Sequence, residues 1–186
     1  APAAPDKHDF LIEVMDGVED IPGTALHEGI EWNWESFSEY LDELDRHQWT
    51  MDVATQVPHA AVRAYVMGDR GARNELATED DLEKMSAIVR DGIEAGALGV
   101  STSRIDAHRS SKGEIVPGTY AGYDELWAIG GPLKELGKGI FQAVPKGADG
   151  ELGEASEAEI YLLGKLAKNL NRPMTFSMVQ NMDDPK

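Results

Sequence analysis

The alternation of strand-like and helix-like segments is the feature that most constrains the fold of this 186-residue chain. Short apolar segments suited to strands are separated by longer segments whose apolar residues recur at helical spacing. Strands joined through helices pair in parallel with right-handed crossovers. The sequence therefore predicts an α/β fold of parallel βα repeats, with strands at Trp49–Val57, Ala97–Ser101, Gly139–Val144 and Met174–Val179.

Helices are predicted around these strands, and two of them begin with a recognisable signal. Ser36 and Glu39 can form a capping box, and Thr78 has Asp81 three residues further on. The glycines and proline at Gly130–Pro132 should kink or split the helix that contains them. The predicted helices are Asn33–His47, Thr78–Gly96, Tyr123–Leu136 and Ser156–Asn169.

Two parallel architectures fit this pattern, and periodicity does not choose between them. One is a doubly wound open sheet, and the other is a set of consecutive units from a (β/α)8 barrel. A complete barrel needs about 250 residues, so a chain of 186 residues could hold only half of one. The segment Pro145–Ala155 is rich in Gly and Glu, and we expect it to form the loop after the third strand.

Composition argues against several classes of partner. The 34 acidic residues outnumber the 17 basic ones, which gives a formal net charge of -17. Such a surface repels phosphate backbones and anionic lipid, so we expect neither nucleic acid nor membrane as a partner. No apolar segment approaches the roughly 18 residues that span a bilayer, and Ala1–Asp9 lacks a secretory-signal pattern. A cytoplasmic location is therefore expected, and the absence of cysteine excludes disulfides and thiolate metal sites.

Candidate functional residues follow the predicted strands, because parallel α/β folds place their active sites at the carboxyl ends of strands. Six basic residues fall in two of these loops, and the planar fork of arginine binds carboxylates at two points. The loops therefore predict a small anionic ligand, unless the bases pair with nearby acids such as Asp69, Glu75 and Asp106. The bases are Arg63, Arg70, Arg73, Arg104, Arg109 and Lys112; the other candidates are His59, Ser101, Ser103, His108, Gln142, Ser177, Gln180 and Asn181.

Metal and serine-hydrolase sites have little support in the sequence. The five histidines form no His-x-His motif and no pair four residues apart, so no metal site is predicted from this segment alone. Ser101 and Ser103 have no evident His–Asp partnership. The acidic segment Asp16–Asp20 contains a turn-forming glycine and is predicted to position a loop.

Several longer motifs are together similar to one known family. They are Gly17–Leu26 (GVEDIPGTAL), Val57–Gly68 (VPHAAVRAYVMG) and Glu94–Arg104 (EAGALGVSTSR), extended by His108–Ser111 and Gly139–Gln142. The chain resembles the N-acyl-D-amino-acid deacylase (D-aminoacylase) group of the amidohydrolase superfamily. The resemblance implies that residues 1–186 form about half of a TIM-type (β/α)8 barrel, with the upstream and downstream parts absent. It also implies a parent enzyme that hydrolyses the amide bond of N-acyl-D-amino acids or similar small carboxylates.

The resemblance further implies a zinc-activated water and a proton-shuttling aspartate in the full-length family. The family's histidine pair and metal-binding cysteine would precede Ala1, and its aspartate would follow Lys186. Zinc is thus expected in full-length members, whereas this fragment is predicted to bind none and to be inactive alone. Family members also carry metal-binding histidines at the ends of the fifth and sixth barrel strands. Near those positions this sequence has Gln142 and Met178, and glutamine binds transition metals poorly compared with imidazole.

The sequence supports two functional hypotheses. In the first, three arginines contact the substrate, and Arg104 engages its carboxylate. In the second, the chain is a non-catalytic parallel α/β domain that binds a ligand or a partner chain. Half a barrel also exposes two strand edges, so self-association is a further prediction. The substrate contacts predicted by the first hypothesis are Arg63, Arg104 and Arg109, and His59, Ser101, Ser103 and His108 are predicted to line the same rim as Gln142.

Overall fold

One four-stranded parallel sheet organises the chain. The structure is a computed structural model and describes residues 1–148 and 154–179. All neighbouring strands are parallel, as predicted, and Gly99 lies opposite Ile140 at the centre of the sheet. Gln180, Asn181 and the middle of the predicted loop Pro145–Ala155 lie outside the described residues. The strands are β1 (Val57–Pro58), β2 (Gly99–Ser103), β3 (Ile140–Val144) and β4 (Met174–Phe176).

Helices pack on this sheet and bury its main core. The fully buried members of that core include Val57, Val100 and Phe141 from the strands and Leu133 and Leu166 from the helices. Within the described residues, no helix is long and apolar enough to cross a bilayer. The helices are α1 (His8–Glu19), α2 (Gly23–Gly29), α3 (Phe37–Asp45), α4 (His59–Met67), α5 (Asp69–Ala72), α6 (Glu79–Ala95), α7 (Tyr123–Leu136) and α8 (Glu154–Leu170).

The strand order distinguishes the two predicted architectures. The order is β1-β2-β3-β4, so each strand neighbours the strand that precedes it in the chain. A doubly wound sheet reverses its strand order at a switch point, and its helices cover both faces. Here α4, α6, α7 and α8, which follow or connect the strands, share one hydrophobic core with the sheet. The arrangement is that of consecutive units from a (β/α) barrel.

The pleat gives β2 and β3 two different faces. Val100 and Phe141 are register partners, and both are buried beneath the helices. Ser101 and Gln142, the next pair along, point to the other face and are only half-buried. The face opposite the helices therefore presents polar side chains, and this is the face that a closed barrel turns inward.

Both predicted capping boxes are present. In α3, the Glu39 backbone N–H donates to Ser36 Oγ, and the Glu39 carboxylate accepts from the Ser36 backbone N–H. In α6, Thr78 and Asp81 make the same reciprocal pair. Gly96 ends α6 with a left-handed φ of 119°, a conformation that suits glycine. These local signals predicted the ends of the two helices correctly.

The Gly130–Pro132 segment was predicted to kink or split its helix, and the helix is not split. The helix α7 continues through Pro132. Ile129 and Leu133, on either side of the glycine–proline segment, are both fully buried in the core. Tertiary packing therefore outweighs the backbone hydrogen bond that the proline removes.

The predicted strand at Trp49–Val57 is wrong for most of its length. Only Val57 of that segment enters the sheet, while Trp49, Met51 and Val53 are 50%, 74% and 44% exposed. Alternating apolar residues form a strand only when another surface buries one of the two faces. Among the described residues no such surface covers this segment.

Two helices occupy segments for which a turn or a loop was predicted. Gly17, expected to form a turn within Asp16–Asp20, lies inside α1, which runs to Glu19, and only Asp20 leaves the helix, with a φ of 55°. His59–Met67 was expected to be a loop after the first strand, and it forms α4 instead. The three alanines of that segment favour a helix, and the conformation of Pro58 before it is extended, as a helix N-cap requires.

We predict that Thr78→Ala lowers the free energy of unfolding by about 1 kcal/mol, because the first turn of α6 loses its cap. Thr78 Oγ1 accepts from the Asp81 backbone N–H at 3.2 Å, and Asp81 also pairs with Arg70 at 2.8 Å. Urea denaturation followed by circular dichroism measures the change. Thr78→Ser keeps the hydroxyl and should recover most of the loss; equal losses in both variants would contradict the prediction.

Candidate functional site

A cavity of about 250 Å³ lies where β1, β2 and β3 end. The strand ends form its floor, the loop after β2 forms one side, and α1 contributes a wall. Most of its surface is apolar, and its polar groups come mainly from the strands and the loop. The lining residues are Val14, Met15, Val18, Glu19, Pro58, His59, Ala60, Ser101, Thr102, Ser103, His108, Val116, Gln142 and Val144.

A serine and a histidine meet in this cavity. Ser103 Oγ lies 2.7 Å from His108 Nδ1, although the two residues are only five positions apart in the chain. Ser103 ends β2, and the loop that follows folds back through an antiparallel bridge between Arg109 and Ile115. The imidazole can accept the hydroxyl proton or donate to the hydroxyl oxygen, depending on its tautomer. Sequence analysis missed this pair, since the two side chains meet only after the loop has folded back.

Backbone contacts hold α1 against the same loop. A Cβ on Gly17 would overlap the backbone of residues 109–111, so glycine is required for this close approach. The Ser111 backbone N–H donates to the Glu13 carbonyl at 2.8 Å, and Lys112 Nζ lies 2.6 Å from Glu13 Oε1. The wall of the cavity is therefore fixed by the loop that also carries the histidine of the serine–histidine pair.

His59 and Thr102 line the cavity and also belong to a buried polar network. His59 Nδ1 lies 2.9 Å from Thr102 Oγ1, and His59 Nε2 lies 2.8 Å from Glu125 Oε1. Arg63 Nη1 donates to the same carboxylate oxygen. All four residues are buried. The network thus connects α4 to α7 across the end of β2, and Arg63 also donates to the backbone carbonyls of Gly71 and Glu75.

Burial and ion pairing act in opposite directions on the Glu125 carboxyl group. Burial raises its pKa, because the charged form loses solvation. Hydrogen bonds and charge from His59 and Arg63 oppose this effect and exceed it, so the pKa lies below its ordinary value of 4.5. Glu125 is therefore ionised at neutral pH and serves both bases as a charged acceptor.

A second buried ion pair lies beyond the end of β2. Arg104 Nε donates to Glu159 Oε1, and Arg104 Nη2 donates to Glu159 Oε2 at 3.2 Å. Arg104 Nη1 donates to the Ala121 carbonyl at 2.7 Å. Arg104 and Glu159 are both buried. This two-point contact connects β2 to α8 and to the segment that leads into α7.

The surroundings of Arg63 and Arg104 favour the structural alternative over the predicted substrate contacts. Both guanidinium groups are buried and hold carboxylates of the chain itself. Arg104 follows Ser103 along the strand, so its side chain leaves on the face opposite to that of Gln142, although both residues lie toward the carboxyl ends of the strands. The partner of Arg104 is Glu159, and not Asp106, the nearby acid that the sequence suggested.

The remaining predicted bases lie nearer the surface and also have partners. Arg109 is exposed and donates to the Gly113 carbonyl at 2.9 Å. Arg73 pairs with Glu75 at 2.8 Å, as the structural alternative predicted. Of the other candidates, Ser101, Ser103, His108 and Gln142 meet in the cavity, whereas Ser177 is exposed after β4.

The described residues do not form a zinc site by themselves. Among residues 1–148 and 154–179, no three His, Cys, Asp or Glu side chains are grouped closely enough to hold a metal ion. Gln142 lines the cavity, and Met178 is 52% exposed. An amide and a thioether are poor substitutes for the imidazoles that zinc prefers.

The family of the chain follows from comparison with known sequences. The sequence profile of the amidohydrolase family matches residues 2–186. The chain belongs to the amidohydrolase family. It is 27% identical over 164 residues to a D-aminoacylase of Alcaligenes xylosoxydans xylosoxydans, a match that covers 88% of this chain and 30% of that protein. It is also 28% identical over 119 residues to an uncharacterized protein of Mycobacterium tuberculosis, covering 60% of this chain and 19% of that protein.

A solved structure shows the same fold. It is the N-acyl-D-glutamate deacylase of Bordetella bronchiseptica, which was crystallised with zinc and a phosphonate inhibitor that mimics the tetrahedral intermediate. The TM-score is 0.59 with 20% sequence identity, over 76% of this chain and 26% of the deacylase. The solved structure confirms the predicted α/β fold, and the family profile and the D-aminoacylase match confirm the predicted resemblance to the D-aminoacylase group. The chain spans less than a third of the length of each of these proteins.

We predict that Glu125→Gln lowers the free energy of unfolding by about 3–5 kcal/mol at neutral pH, because it leaves buried Arg63 without a counter-charge. The pKa of Glu125 is lowered on folding, so its charge stabilises the fold above pH 4.5 and loses this effect as the pH falls through the folded-state pKa. The variant should therefore lose less stability on acidification than the wild type does. Urea denaturation across this pH range measures both effects, with Glu94→Gln at an exposed helical position as the control. Parallel acid profiles for wild type and variant would contradict the assignment.

We predict that Arg104→Ala and Glu159→Ala each destabilise the fold by about 3–5 kcal/mol, since either change leaves the other charge buried without a partner. The double variant should lose clearly less than the sum of the two single losses, because the charges are removed together. Chemical denaturation of the four proteins gives the coupling energy. If Arg104→Ala left stability unchanged, its guanidinium group would be free to serve as the predicted substrate contact.

Proposed function

We propose that the protein containing this segment hydrolyses the C–N amide bond of N-acyl-D-amino acids or similar small carboxylates. One observation carries the proposal: Ser101, Ser103, His108 and Gln142 meet in one cavity at the carboxyl ends of parallel strands. Active sites of (β/α)8 enzymes lie at that end of the barrel. Membership of the amidohydrolase family supports a hydrolase, and similarity to a D-aminoacylase supports the substrate class.

The polar groups of the cavity suit a small amide substrate. The hydroxyls of Ser101 and Ser103 and the side-chain amide of Gln142 can both donate and accept hydrogen bonds. They can therefore bind the carbonyl oxygen and the N–H of an amide together. His108, hydrogen-bonded to Ser103, can hold a proton near the same atoms. We assign these four residues to binding and orientation of the substrate.

The three arginines of the original hypothesis take different roles in this proposal. Arg109 is exposed at the edge of the site and still has donors beyond the one that Gly113 accepts, so it remains the candidate contact for a substrate carboxylate. Arg63 and Arg104 act indirectly, because their ion pairs hold the end of β2 in place. His59 belongs with them, since both of its ring nitrogens are occupied.

Zinc in the full-length protein is also part of the proposal. It is supported by the zinc-bound deacylase that shares the fold. Its ligand set would have to include residues outside the described ones, which do not form a metal site by themselves. A cytoplasmic location and self-association through the exposed edges of β1 and β4 stay predictions.

A non-catalytic ligand-binding domain is the second candidate function. The observation that favours it is Gln142, which occupies a cavity position near which the resemblance implies a metal-binding histidine. Both candidates bind a small carboxylate at the same site. They differ in whether the full protein turns that ligand over.

We predict that the chain binds N-acetyl-D-leucine without hydrolysing it, because its described residues supply binding groups but no metal centre. Amide and side-chain NMR of the labelled chain should show shifts at Ser101, Ser103, His108 and Gln142 when the ligand is added. A fluorescent amine assay with added zinc should detect no free leucine above the rate of the Ser103→Ala variant. Elemental analysis after dialysis should find no stoichiometric zinc.

Two results would contradict this proposal in different ways. Shifts confined to residues outside the cavity would show that the site is wrong. Release of leucine by the wild-type chain and not by Ser103→Ala would show that this segment carries a catalytic centre of its own, contrary to the predicted inactivity. The same assay on the full reading frame then separates the enzyme from the non-catalytic domain.

A further inference from the structure

The cavity wall formed by α1 has a chemical character that the strand residues do not share. Val14, Met15 and Val18 lie one and four positions apart, so they share one face of the helix and all line the cavity. Val116 and Val144 add apolar surface from the loop and from β3. The site is thus divided into a polar floor at the strands and an apolar compartment next to α1.

The charge of the cavity lining is one-sided. Glu19, at the end of α1, contributes a carboxylate to the lining, and among the described residues no lysine or arginine does so. The two buried arginines nearest the floor are already held by carboxylates of the chain. A second negative charge in this compartment would therefore meet repulsion from Glu19 and find no lysine or arginine of the lining to pair with.

The position of this wall is fixed. Gly17 packs against the backbone of residues 109–111, and Glu13 binds the same loop through its carbonyl and its carboxylate. Gly17 lies between Met15 and Val18 in the chain, so the residues that dock the helix adjoin those that face the cavity. A docked helix can discriminate between ligands, because it does not move aside to accommodate them.

We infer that α1 is a specificity wall, which selects an uncharged aliphatic group on the ligand through Met15 and Val18 and rejects an acidic group through Glu19. This inference rests on the proposed function and names the substrate class within it: N-acyl amino acids whose group beside α1 is aliphatic. That group has two possible sources, the acyl chain or the amino-acid side chain. The chemistry of the compartment is the same for both.

The test measures dissociation constants of the chain by NMR titration with matched ligands. N-acetyl-D-leucine, N-acetyl-D-asparagine and N-acetyl-D-aspartate have branched side chains of similar size that are apolar, polar and charged, respectively. The expected order of affinity is leucine, then asparagine, then aspartate. Glu19 is exposed, so the asparagine–aspartate difference should be about two- to fivefold at low ionic strength and should shrink in salt. N-pentanoylglycine and N-succinylglycine make the same comparison for the acyl chain.

Three variants separate the two parts of the wall. Met15→Gln should reduce the preference for leucine over asparagine, and Val18→Thr, which keeps the shape of the side chain, tests the same point if the first variant folds poorly. Glu19→Gln should remove the discrimination between asparagine and aspartate. Asp9→Asn is the matched control, because it changes an exposed acid on α1 outside the lining. It should leave every dissociation constant unchanged.

Each outcome supports or contradicts the inference that α1 determines ligand specificity. Discrimination in either the side-chain or the acyl series, weakened by the α1 variants and not by Asp9→Asn, supports the inference and identifies which group lies beside α1. Cavity resonances that shift equally for all ligands, with no effect of the variants, would overturn the inference and leave the proposed binding site intact. An absence of cavity shifts with every ligand would overturn both.

Discussion

The buried carboxylate of Glu125 is the interaction on which the working end of the sheet depends. It accepts from His59 and Arg63 of α4, and His59 also bonds Thr102 of β2. Elements α4 and α7 thereby meet at one carboxylate oxygen, and β2 is joined to them through the His59 ring. This buried cluster stabilises the fold only while all its members are present, because the removal of any one side chain leaves a charge or a donor buried without a partner. The close approach of Gly118, whose Cβ would lie 2.7 Å from the His59 ring, completes the enclosure.

The ion pair between Arg104 and Glu159 extends this frame to α8. Side chains along β2 alternate between the two faces of the sheet, so neighbouring residues serve either to anchor the helices or to line the cavity. Thr102, which also reaches the cavity, and the arginine that follows the strand bond to the helices and hold them, whereas Ser101 and Ser103 point to the opposite face and line the cavity. The binding groups therefore project from one face of β2, and buried ion pairs on the other face hold this strand in position. This is the arrangement in which polar side chains keep a constant geometry for a ligand.

The candidate site combines groups of two origins. Its floor comes from the strand ends, as in other parallel α/β folds, and its wall comes from α1, which precedes the described repeats. The family comparisons support the reaction class, while the one-sided charge and apolar wall of the cavity support the choice of substrate. In the larger protein that we propose, this segment contributes binding groups such as Gln142 on the cavity floor.

The sequence by itself determined the parallel βα organisation, the two capping boxes, the end of α6 at Gly96 and the family. Periodicity and helix ends depend on residues a few positions apart, so they can be predicted from the sequence without knowledge of the fold. Only the tertiary structure decided what the arginines do, because their carboxylate partners lie 62 and 55 positions away in the chain. It also decided that Trp49 and Met51 form no strand and that α1 walls the cavity. Burial and partnership between distant residues are properties of packing, and they arise only when the elements meet.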